Sequence, residues 1–313
     1  MQLEGIHHVT AITADAPGNV DFYTRVLGLR LVAKTVNQDD PSVYHLFYGD
    51  EAARPGADLT FFEYPHARPG RASAGMVHRI VWRVAGIEAL DFWARRLEAE
   101  GLTPQRTQRP GESLHFADPE GLGHELAISD APDSALVAEH PEIPIDVALQ
   151  GFAGVRAHTR DQQGSERVLE GLMGAVRRPD GAWELRGERR GGWIALEDGQ
   201  PEGPSRPGAG TVHHVAWATT DAEQPRWLQA LRAAGIASSP IIDRHYFHSV
   251  YFPEPGGVLF ELATEEPGFV VDGRLGELGQ RIVLPPWLEG QRAAVETRLR
   301  PLPNTRAVRA TAP

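Results

Sequence analysis

Two stretches of this chain, GMVHRIVW at Gly75–Trp82 and GTVHHVAW at Gly210–Trp217, are near copies of each other. A second pair follows them, since SLHFADPEGLGHELAI at Ser113–Ile128 matches SVYFPEPGGVLFELAT at Ser249–Thr264. The members of the first pair lie 135 residues apart (75 to 210), and those of the second lie 136 apart (113 to 249). Because the offset is nearly constant at both ends, a whole structural unit has been duplicated rather than a short motif.

Each copy predicts a β-α-β-β-β module. It opens with an alternating strand such as Val212–Thr219 and continues with a helix, which is predicted at Ile87–Glu100 in one copy and at Pro225–Ala234 in the other. Gly101 and Gly235 stand where a glycine commonly ends a helix. Two or three further strands complete each copy. The pattern therefore predicts an α+β protein built from such modules.

The rest of the chain contains two weaker copies, and each offers a first strand, a helix and a last strand. In one copy these segments are Ile6–Thr13 (IHHVTAIT), Val20–Leu27 and Asp58–Tyr64. In the other copy they are Phe152–Thr159 (FAGVRAHT), Glu166–Met173 and Gly191–Glu197. Four modules therefore begin near residues 6, 75, 152 and 210, and we number them 1 to 4 in chain order.

Chain order predicts two tandem pairs of modules, an N-terminal pair in residues 1–135 and a C-terminal pair in residues 148–266. The segment Ser129–Val147 is rich in Asp, Pro and Ala, and it is predicted to link the pairs. The remaining tail, residues 267–313, contains LPPWLEGQRAAVETRLRPL at Leu284–Leu302. Its apolar spacing predicts one amphipathic helix there.

The composition limits the kinds of partner and site. The chain has 313 residues with 31 Lys and Arg against 42 Asp and Glu, so its formal net charge of −11 argues against nucleic acid as its main partner. It has no cysteine, which excludes disulfides, zinc–thiolate sites and iron–sulfur clusters. Any metal would therefore need His, Asp, Glu and water as ligands.

The sequence also bears on location. No stretch approaches the roughly 18 consecutive apolar residues of a membrane helix, so no membrane span is expected. The first residues, MQLEGIHHVT, lack a basic region followed by an apolar run, so no secretory signal is visible. We therefore expect a cytoplasmic protein.

Superposing the four modules brings residues of the same kind to two positions. The position on the first strand holds, in chain order, His8, Arg79, Arg156 and His214. The position on the last strand holds Glu125 in module 2, an apolar residue near Leu196 in module 3 and Glu261 in module 4. In module 1 the register is open between Phe61, Phe62 and Glu63. Modules 1 and 4 therefore keep a histidine where modules 2 and 3 have arginine.

The two imidazoles of His8 and His214 and the carboxylate of Glu261 form a ligand set typical of non-haem Fe(II) enzymes that use O2, because three such ligands leave coordination positions open. Zinc accepts the same ligands, so the set alone leaves the metal open. A lone histidine in a strand is more often a hydrogen-bonded core residue, and the recurrence at equivalent positions is what favours the ligand role. The histidines are 206 residues apart (8 to 214), so a shared ion requires modules 1 and 4 to be in contact.

Glu125 is predicted to have a structural role. A buried carboxylate without a partner is costly, so a positive group is expected beside it. An arginine of the neighbouring module, Arg79 or Arg156, can supply the charge that a metal supplies elsewhere. Modules 2 and 3 are therefore predicted to form a metal-free counterpart of the first site.

These residues resemble a known family. The fourfold module with His on its first strand and Glu on its last is similar to the vicinal oxygen chelate superfamily, which has a glyoxalase-like fold. GIHHVTAIT, GTVHHVAW, LPPWLEGQR and the block DRHYFHSVYFPEPGGVLFELATEEPGF at Asp243–Phe269 resemble its branch of hydroquinone-type ring-cleaving dioxygenases. The resemblance covers almost the whole chain, and the long block is its most specific part.

The resemblance implies Fe(II), with Mn(II) as an alternative, bound by His8, His214 and Glu261. It also implies five further site residues close to the metal. These are His7, Thr10, His213, Arg244 and Tyr251.

Strand geometry bears on these further residues. Thr10 lies two residues after His8, so both side chains share one face of the strand. Tyr251 precedes Glu261 by ten residues, in a neighbouring strand of the module. Alternation alone would point His7 and His213 away from the metal face, so a bulge or a pocket that reaches both faces is needed.

Together these features predict an extradiol-type dioxygenase that opens a small aromatic diol of the hydroquinone or catechol type with O2. In this hypothesis His213, aided by Tyr251, moves the phenolic proton, while Arg244 and Thr10 orient the second oxygen. The alternative for Arg244 is a surface ion pair with Asp243 or a neighbour. Exposed strand edges of such sheets favour a homodimer.

Two other functions fit the same fold. A glyoxalase-like isomerase or lyase would use a redox-inert metal and a fourth protein ligand, for which Glu63 is the candidate in module 1. A non-catalytic small-molecule-binding protein would not need His8, His214 and Glu261 at all. The fold cannot decide among these functions, because the chemistry depends on the site.

Overall fold

The computed structural model describes residues 1–107, 111–197, 203–303 and 305. Sixteen strands and five α-helices are present in this part of the chain. Module 1 contains β1 (Ile6–Thr13), α1 (Ala16–Asp21), β2 (Arg30–Asn37), β3 (Asp40–Gly49) and β4 (Asp58–Glu63). Module 2 contains β5 (Met76–Val84), α2 (Ile87–Ala99), β6 (Gln105–Thr107), β7 (Ser113–Ala117) and β8 (Gly123–Ile128).

The second half of the chain repeats this order. Module 3 contains β9 (Phe152–His158), α3 (Gln162–Glu166), β10 (Val176–Arg177), β11 (Trp183–Arg186) and β12 (Gly191–Glu197). Module 4 contains β13 (Thr211–Thr219), α4 (Gln224–Ala233), β14 (Ile242–Asp243), β15 (His248–Pro253) and β16 (Leu259–Thr264). The predicted α+β fold of four β-α-β-β-β modules is confirmed.

The strands of the described residues form two eight-stranded sheets, and each sheet joins two modules. One sheet has the order β14-β15-β16-β13-β1-β4-β3-β2, so it joins module 4 to module 1. The other has the order β10-β11-β12-β9-β5-β8-β7-β6, so it joins module 3 to module 2. The seams are the antiparallel pairs β1/β13 and β5/β9. The expected contact between modules 1 and 4 is confirmed.

Spatial pairing differs from chain order. Each sheet takes one module from residues 1–135 and one from residues 148–266, so neither sheet corresponds to a tandem pair. The division into two domains at the linker stays a prediction. The linker itself packs against module 2, since the indole N–H of Trp93 donates a 2.8 Å hydrogen bond to the carbonyl of Val147.

Apolar side chains at matching positions of the repeat build the core. Trp82 and Trp217, the last residues of the two near-identical stretches, are both fully buried. On α2, Leu90, Trp93 and Leu97 are buried at helical spacing. Truncating a buried tryptophan to alanine typically costs about 3–5 kcal/mol, so each of these positions is a major source of stability.

The helices of modules 2 and 4 end as predicted. Gly101 and Gly235 follow them with φ of +80° and +71°, a left-handed conformation that glycine adopts without strain. The helices predicted in modules 1 and 3 take another form, because each short α-helix widens into a π-helical turn, at Phe22–Val26 and Arg167–Leu172. In module 1 the hydroxyl of Thr24 bonds to the carbonyl of Val20, which competes with regular helical bonding.

The tail differs from its prediction. The single helix expected over Leu284–Leu302 is wrong in extent, since the structure has a 3₁₀ turn at Glu289–Gln291 and the short helix α5 at Arg292–Arg298. Pro285, Pro286 and Pro301 flank this region, and prolines do not extend a helix past its first turn. Two more 3₁₀ turns lie upstream, at Phe269–Asp272 and Leu275–Glu277.

Across the described ranges, none of the helices combines the length and the apolar character that crossing a bilayer requires.

Candidate metal centre

The two His-His pairs lie at bulges in the seam between β1 and β13. Ile6 is paired with Trp217 and His8 with Ala216, which leaves His7 as an extra residue on β1. Further along, Thr10 is paired with His214 and Ala11 with Val212, which leaves His213 as an extra residue on β13. The bulge that strand alternation requires for these residues is therefore present on both strands.

The seam brings His8, His214 and Glu261 together. The Nε2 atoms of His8 and His214 are 3.2 Å apart, and Oε2 of Glu261 is 3.2 Å from the first and 2.9 Å from the second. All three side chains are buried. Three potential ligand atoms of two imidazoles and a carboxylate therefore converge on one point, as the sequence predicts.

The atoms at this point suit a divalent cation. Oε2 of Glu261 is buried and accepts no hydrogen bond within the described residues, while Oε1 accepts a 2.5 Å bond from the hydroxyl of Ser249. Burial alone would raise the pKa of Glu261, but His8 and His214 hold that pKa well below its usual value. Burial also lowers the pKa of His214. An ionised carboxylate facing neutral imidazoles is the state that binds a metal.

His7 and His213 support the other ring nitrogens of these histidines. Nδ1 of His8 lies 2.9 Å from Nδ1 of His7, and Nδ1 of His214 lies 2.8 Å from Nδ1 of His213. When Nε2 of a neutral ligand histidine binds a metal, its proton is on Nδ1, which must then donate to the neighbouring ring. Both pairs therefore have the same arrangement, in which the first histidine orients the second.

His7 has a further acidic neighbour that the sequence did not indicate. Asp58 is buried beside His7 and His8, with its nearest carboxylate oxygen within 4.8 Å of their ring nitrogens. Neither of its oxygens has a hydrogen-bond partner in the described part of the chain. Burial raises the pKa of Asp58 to about 7, against the opposing effect of His8.

The register of the strands corrects the prediction for module 1. Glu261 is paired with Ala216, two residues after His214, and the matching position two residues after His8 is Thr10. Thr10 is paired with Thr60, so Thr60 occupies the last-strand position rather than Phe61, Phe62 or Glu63.

Two contacts define the surroundings of Thr60 and Glu63. The hydroxyl of Thr60 lies 2.8 Å from that of Thr10. Glu63 turns elsewhere, since its Oε1 accepts bonds from the backbone N–H of Ala16 and from Arg300. Glu63 is therefore not positioned as a fourth ligand.

The same register corrects module 3. His158, two residues after Arg156, is paired with Glu197, so Glu197 takes the position predicted for an apolar residue near Leu196. Glu197 lies 3.2 Å from His78, whose ring stacks on that of His158 at 4.2 Å with only 17° between the planes. A shared ion would have to lie in both ring planes, which nearly parallel rings do not allow. This group is therefore a poor metal site.

Glu125 in the second sheet is paired with arginine as predicted. Nε and Nη2 of Arg156 donate bonds of 2.7 and 3.0 Å to the two carboxylate oxygens, whereas the nearest nitrogen of Arg79 is 3.8 Å away. Although burial alone would raise the pKa of Glu125, His115 and Arg156 lower it to about 2. The structure decides between the two arginines in favour of Arg156.

A cavity lies over the two histidines of the triad, His8 and His214. Its walls are aromatic, with Phe47, Phe62 and Phe247 among the lining residues. Its polar lining includes Thr10, His45, Arg244 and Tyr251. A flat apolar ring carrying oxygen substituents matches such a lining in shape and polarity.

Arg244 and Tyr251 lie together at this cavity. The guanidinium carbon of Arg244 is 5.4 Å from the centre of the Tyr251 ring, and Nη2 bonds Asp39 at 3.0 Å. Arg244 therefore combines the cavity position with a surface ion pair, although its partner is Asp39 and not Asp243. Burial and the nearby Glu261 raise the pKa of Tyr251, so it remains a phenol that can donate a hydrogen bond.

His213 lies outside this cavity. Its ring contacts His214 and Phe62, and it lines a separate cavity together with Arg160 and Met76. This placement does not support the expectation that His213 takes a proton directly from a bound phenol, because His213 is not among the residues that line the cavity over His8 and His214. Burial and His214 lower the pKa of His213.

Asp272 of the tail fixes the loop that carries Arg244. It accepts a 2.9 Å bond from His245 and a 2.7 Å bond from the hydroxyl of Tyr246. His245 has φ of +73°, a left-handed conformation that is uncommon for a residue with a side chain. Two bonds to one carboxylate hold the strained loop, and no sequence motif indicated this role for Asp272.

Comparison with known proteins agrees with this geometry. Residues 5–126 and 161–262 match the glyoxalase/bleomycin resistance protein/dioxygenase superfamily. A solved structure described as a "putative dioxygenase" of Bacillus subtilis subsp. subtilis str. 168 superposes with a TM-score of 0.90 at 36% identity, covering 96% of this chain and 98% of that one.

Two further proteins are similar to this chain over nearly their whole length. "Putative ring-cleaving dioxygenase MhqA" of Bacillus subtilis (strain 168) is 40% identical and covers 96% of this chain and 100% of its own length. "Chlorohydroquinone/hydroquinone 1,2-dioxygenase" of Sphingobium indicum is 31% identical over 92% of this chain and 94% of its own length.

Proposed function

This chain belongs to the glyoxalase/bleomycin resistance protein/dioxygenase superfamily, and on that premise we propose that it is a ring-cleaving dioxygenase. It opens an aromatic diol of the hydroquinone or catechol type with O2 and uses Fe(II) held by His8, His214 and Glu261. Cleavage of the extradiol type, next to a hydroxylated carbon, is part of the proposal. So are a cytoplasmic location and a homodimer.

One observation supports this function above the others. The triad of His8, His214 and Glu261 faces a cavity with aromatic walls. In module 1, the last-strand position equivalent to that of Glu261 holds the hydroxyl of Thr60 rather than a carboxylate. When bound by such a triad, Fe(II) supplies open coordination positions at which O2 and a diol react. The protein residues bind and orient the substrate around that point.

His7 and His213 orient the ligand rings. Each accepts at Nδ1 a hydrogen bond from the Nδ1–H of the neighbouring histidine, whose Nε2 would bind the metal. Such partners commonly change metal affinity or activity by about 10- to 100-fold. The two residues thus act on the ligands rather than on the substrate.

Arg244 and Tyr251 act on the substrate oxygen. The guanidinium of Arg244 favours the phenolate over the phenol, because a positive charge stabilises a nearby anion in a poorly hydrated cavity. Tyr251 keeps its proton and donates a hydrogen bond to that oxygen. The aromatic walls of Phe47, Phe62 and Phe247 exclude water and hold the ring between them.

The test is oxygen consumption by metal-loaded protein. The purified chain is stripped of metal, loaded with Fe(II), Mn(II) or Zn(II) under nitrogen, and given hydroquinone, substituted hydroquinones and catechol with O2. We expect stoichiometric O2 uptake and loss of the aromatic absorbance with at least one diol for the Fe(II) protein. Fe(II) protein that consumes no O2 with any of these diols contradicts the proposal.

The isomerase alternative receives no support from Glu63. Its carboxylate bonds to Ala16 and Arg300, so the fourth ligand that this chemistry needs is not available. A binding protein without catalysis would not require the converging ligand atoms of His8, His214 and Glu261. A dioxygenase accounts both for the triad and for the position of Glu63, which is not a fourth metal ligand.

A further inference from the structure

His45 of β3 is a polar residue of the cavity that neither the sequence motifs nor the proposed mechanism uses. It lines the same cavity as His8 and His214. Its Nε2 lies 2.9 Å from the hydroxyl of Thr60, which in turn lies 2.8 Å from that of Thr10. A chain of hydrogen bonds therefore leads from the strand of the first metal ligand to His45.

Thr60 is the reason why His45 can approach the centre. At the register position of Thr60, the other three modules have a glutamate, in Glu125, Glu197 and Glu261. A glutamate at this position would extend into the space between β4 and the triad. The shorter threonine leaves that space open and offers only a hydroxyl, to which the ring of His45 is bonded.

The ring of His45 is held in one orientation. Its centre is 4.0 Å from that of Phe47 and 4.3 Å from that of Phe62, and both of these rings also line the cavity. Contact with these two rings together with the bond to Thr60 restricts rotation of the imidazole. A side chain fixed in this way loses little conformational entropy when a ligand binds to it.

One nitrogen of this ring remains for a ligand. Burial, and then the neighbouring His8, His214 and Arg244, hold the pKa of His45 well below its usual value, so the imidazole is neutral. A neutral imidazole has one donor and one acceptor nitrogen. Nε2 bonds Thr60, and Nδ1 has no hydrogen-bond partner in the residues that the structure describes.

We propose that His45 is a substrate-binding residue, whose Nδ1 forms a hydrogen bond with an oxygen substituent of an aromatic ring bound in the cavity that Phe47 and Phe62 help to line. The oxygen is the one that the metal and Arg244 do not hold. This inference rests on the proposed function, because it assumes that the cavity receives an aromatic diol. It adds a residue that selects for a second oxygen on the ring.

Two variants separate this role from a structural one. His45→Phe keeps an aromatic ring between the two phenylalanines but removes both nitrogens. Thr60→Val keeps the volume of residue 60 but removes the hydroxyl that orients His45. His66→Phe is the matched control, since His66 is exposed on the turn after β4.

The measurement is binding under nitrogen, by calorimetry, of hydroquinone and of phenol to the Fe(II)-loaded and metal-free proteins. We expect His45→Phe to bind hydroquinone about tenfold more weakly, the usual effect of one lost hydrogen bond to a ligand, and to bind phenol as the wild type does. Thr60→Val should show the same loss to a smaller degree, and His66→Phe should show none.

Two results overturn the proposal: an unchanged ratio of the two affinities in His45→Phe, which includes an equal loss for both ligands, or a wild type that binds neither ligand. Failure of the proposed function looks different. In that case wild type prefers hydroquinone and loses the preference in His45→Phe, yet the Fe(II) protein consumes no O2 with it.

Discussion

Nε2 of His8 lies 3.2 Å from Nε2 of His214, although 206 residues separate the two in the chain. The contact forms because β1 and β13 meet at the seam of one sheet, and Glu261 of the adjacent β16 completes the group. A shared divalent cation would be bound by these two imidazole nitrogens and the ionised carboxylate.

Replacing the carboxylate of the triad should abolish tight metal binding. We expect Glu261→Gln to lower the affinity for Fe(II) by at least about 100-fold, because an amide oxygen carries no charge to balance the cation. The matched control is Glu125→Gln, at the equivalent position of the other sheet, which should retain wild-type metal affinity. Calorimetric titration of the metal-free proteins measures both. Equal loss in the two variants would show that the metal binds elsewhere.

Ser249 should tune the same site. Its hydroxyl donates to Oε1 of Glu261 and fixes the orientation of that carboxylate. We expect Ser249→Ala to weaken metal binding by about 10-fold, at the lower end of what losing a partner of a metal ligand costs. Ser113→Ala, at the same position of module 2, serves as the control and should leave metal affinity unchanged. Unchanged affinity in Ser249→Ala would contradict the role.

Removing Asp272 should loosen the loop of Arg244. Asp272→Ala deletes both bonds that hold His245 and Tyr246, so the loop can leave its left-handed conformation. We expect KM for the diol to rise about 10-fold with a smaller fall in kcat, and faster limited proteolysis near the loop. Asp130→Ala, at an exposed position, is the control. If the kinetic constants and the cleavage rate of Asp272→Ala match those of wild type, the tail does not hold the loop.

The structure predicts a loss of stability in mild acid. His124 is buried, accepts a bond from the indole of Trp82 and contacts the hydroxyl of Tyr23. Burial lowers its pKa to about 3. In the unfolded chain His124 binds a proton below about pH 6.5. Its contribution to the free energy of unfolding is therefore fully present above that pH and is lost progressively as the pH falls from about 6.5 towards about 3.

His124→Gln removes this titration. At pH 5 this titration lowers the unfolding free energy of the wild type by about 2 kcal/mol, because that pH lies about 1.5 units below the pKa of His124 in the unfolded chain. Between pH 7.5 and pH 5, the unfolding free energy of the metal-free variant should therefore fall by about 2 kcal/mol less than that of wild type, as measured in urea. His66→Gln, exposed, should keep the wild-type slope. A slope in His124→Gln that equals that of wild type rejects the assignment.

A carboxylate introduced at residue 60 should fill an open coordination position of the metal. Thr60→Glu places a glutamate at the position where three modules already have one. We expect tighter binding of Zn(II) and loss of O2 consumption, because a fourth protein ligand fills an open position. The control, Thr60→Gln, has similar size without the charge and should not gain affinity. Retained ring cleavage in Thr60→Glu would show that residue 60 does not face the metal.

The sequence was sufficient to predict the modules and the contact between the first and the last of them. The repeat carries this information because Gly75–Trp82 and Gly210–Trp217 must build the same local structure. The triad followed from the same alignment, since His8, His214 and Glu261 lie at matching positions. Ser249 could have been found as well, because Ser113 repeats it in module 2.

Other features depend on registers that the repeat does not fix. The last strand of module 1 has little similarity to its counterparts, so Thr60 could not be told from Phe61, Phe62 or Glu63 until β4 was paired with β1. The role of Asp272 depends on a bond across the tail, and no pattern links it to His245. The domain boundaries and the homodimer stay predictions.

The pairing of module 1 with module 4 determines when the catalytic centre can form during synthesis. The ribosome produces β1 with His8 first, but His214 and Glu261 emerge only with the last third of the chain. Until then the nascent protein presents an unpaired strand edge and only one of the three side chains of the triad. Assembly of the triad is therefore a late event in synthesis, and a chain that terminates before β16 lacks the site.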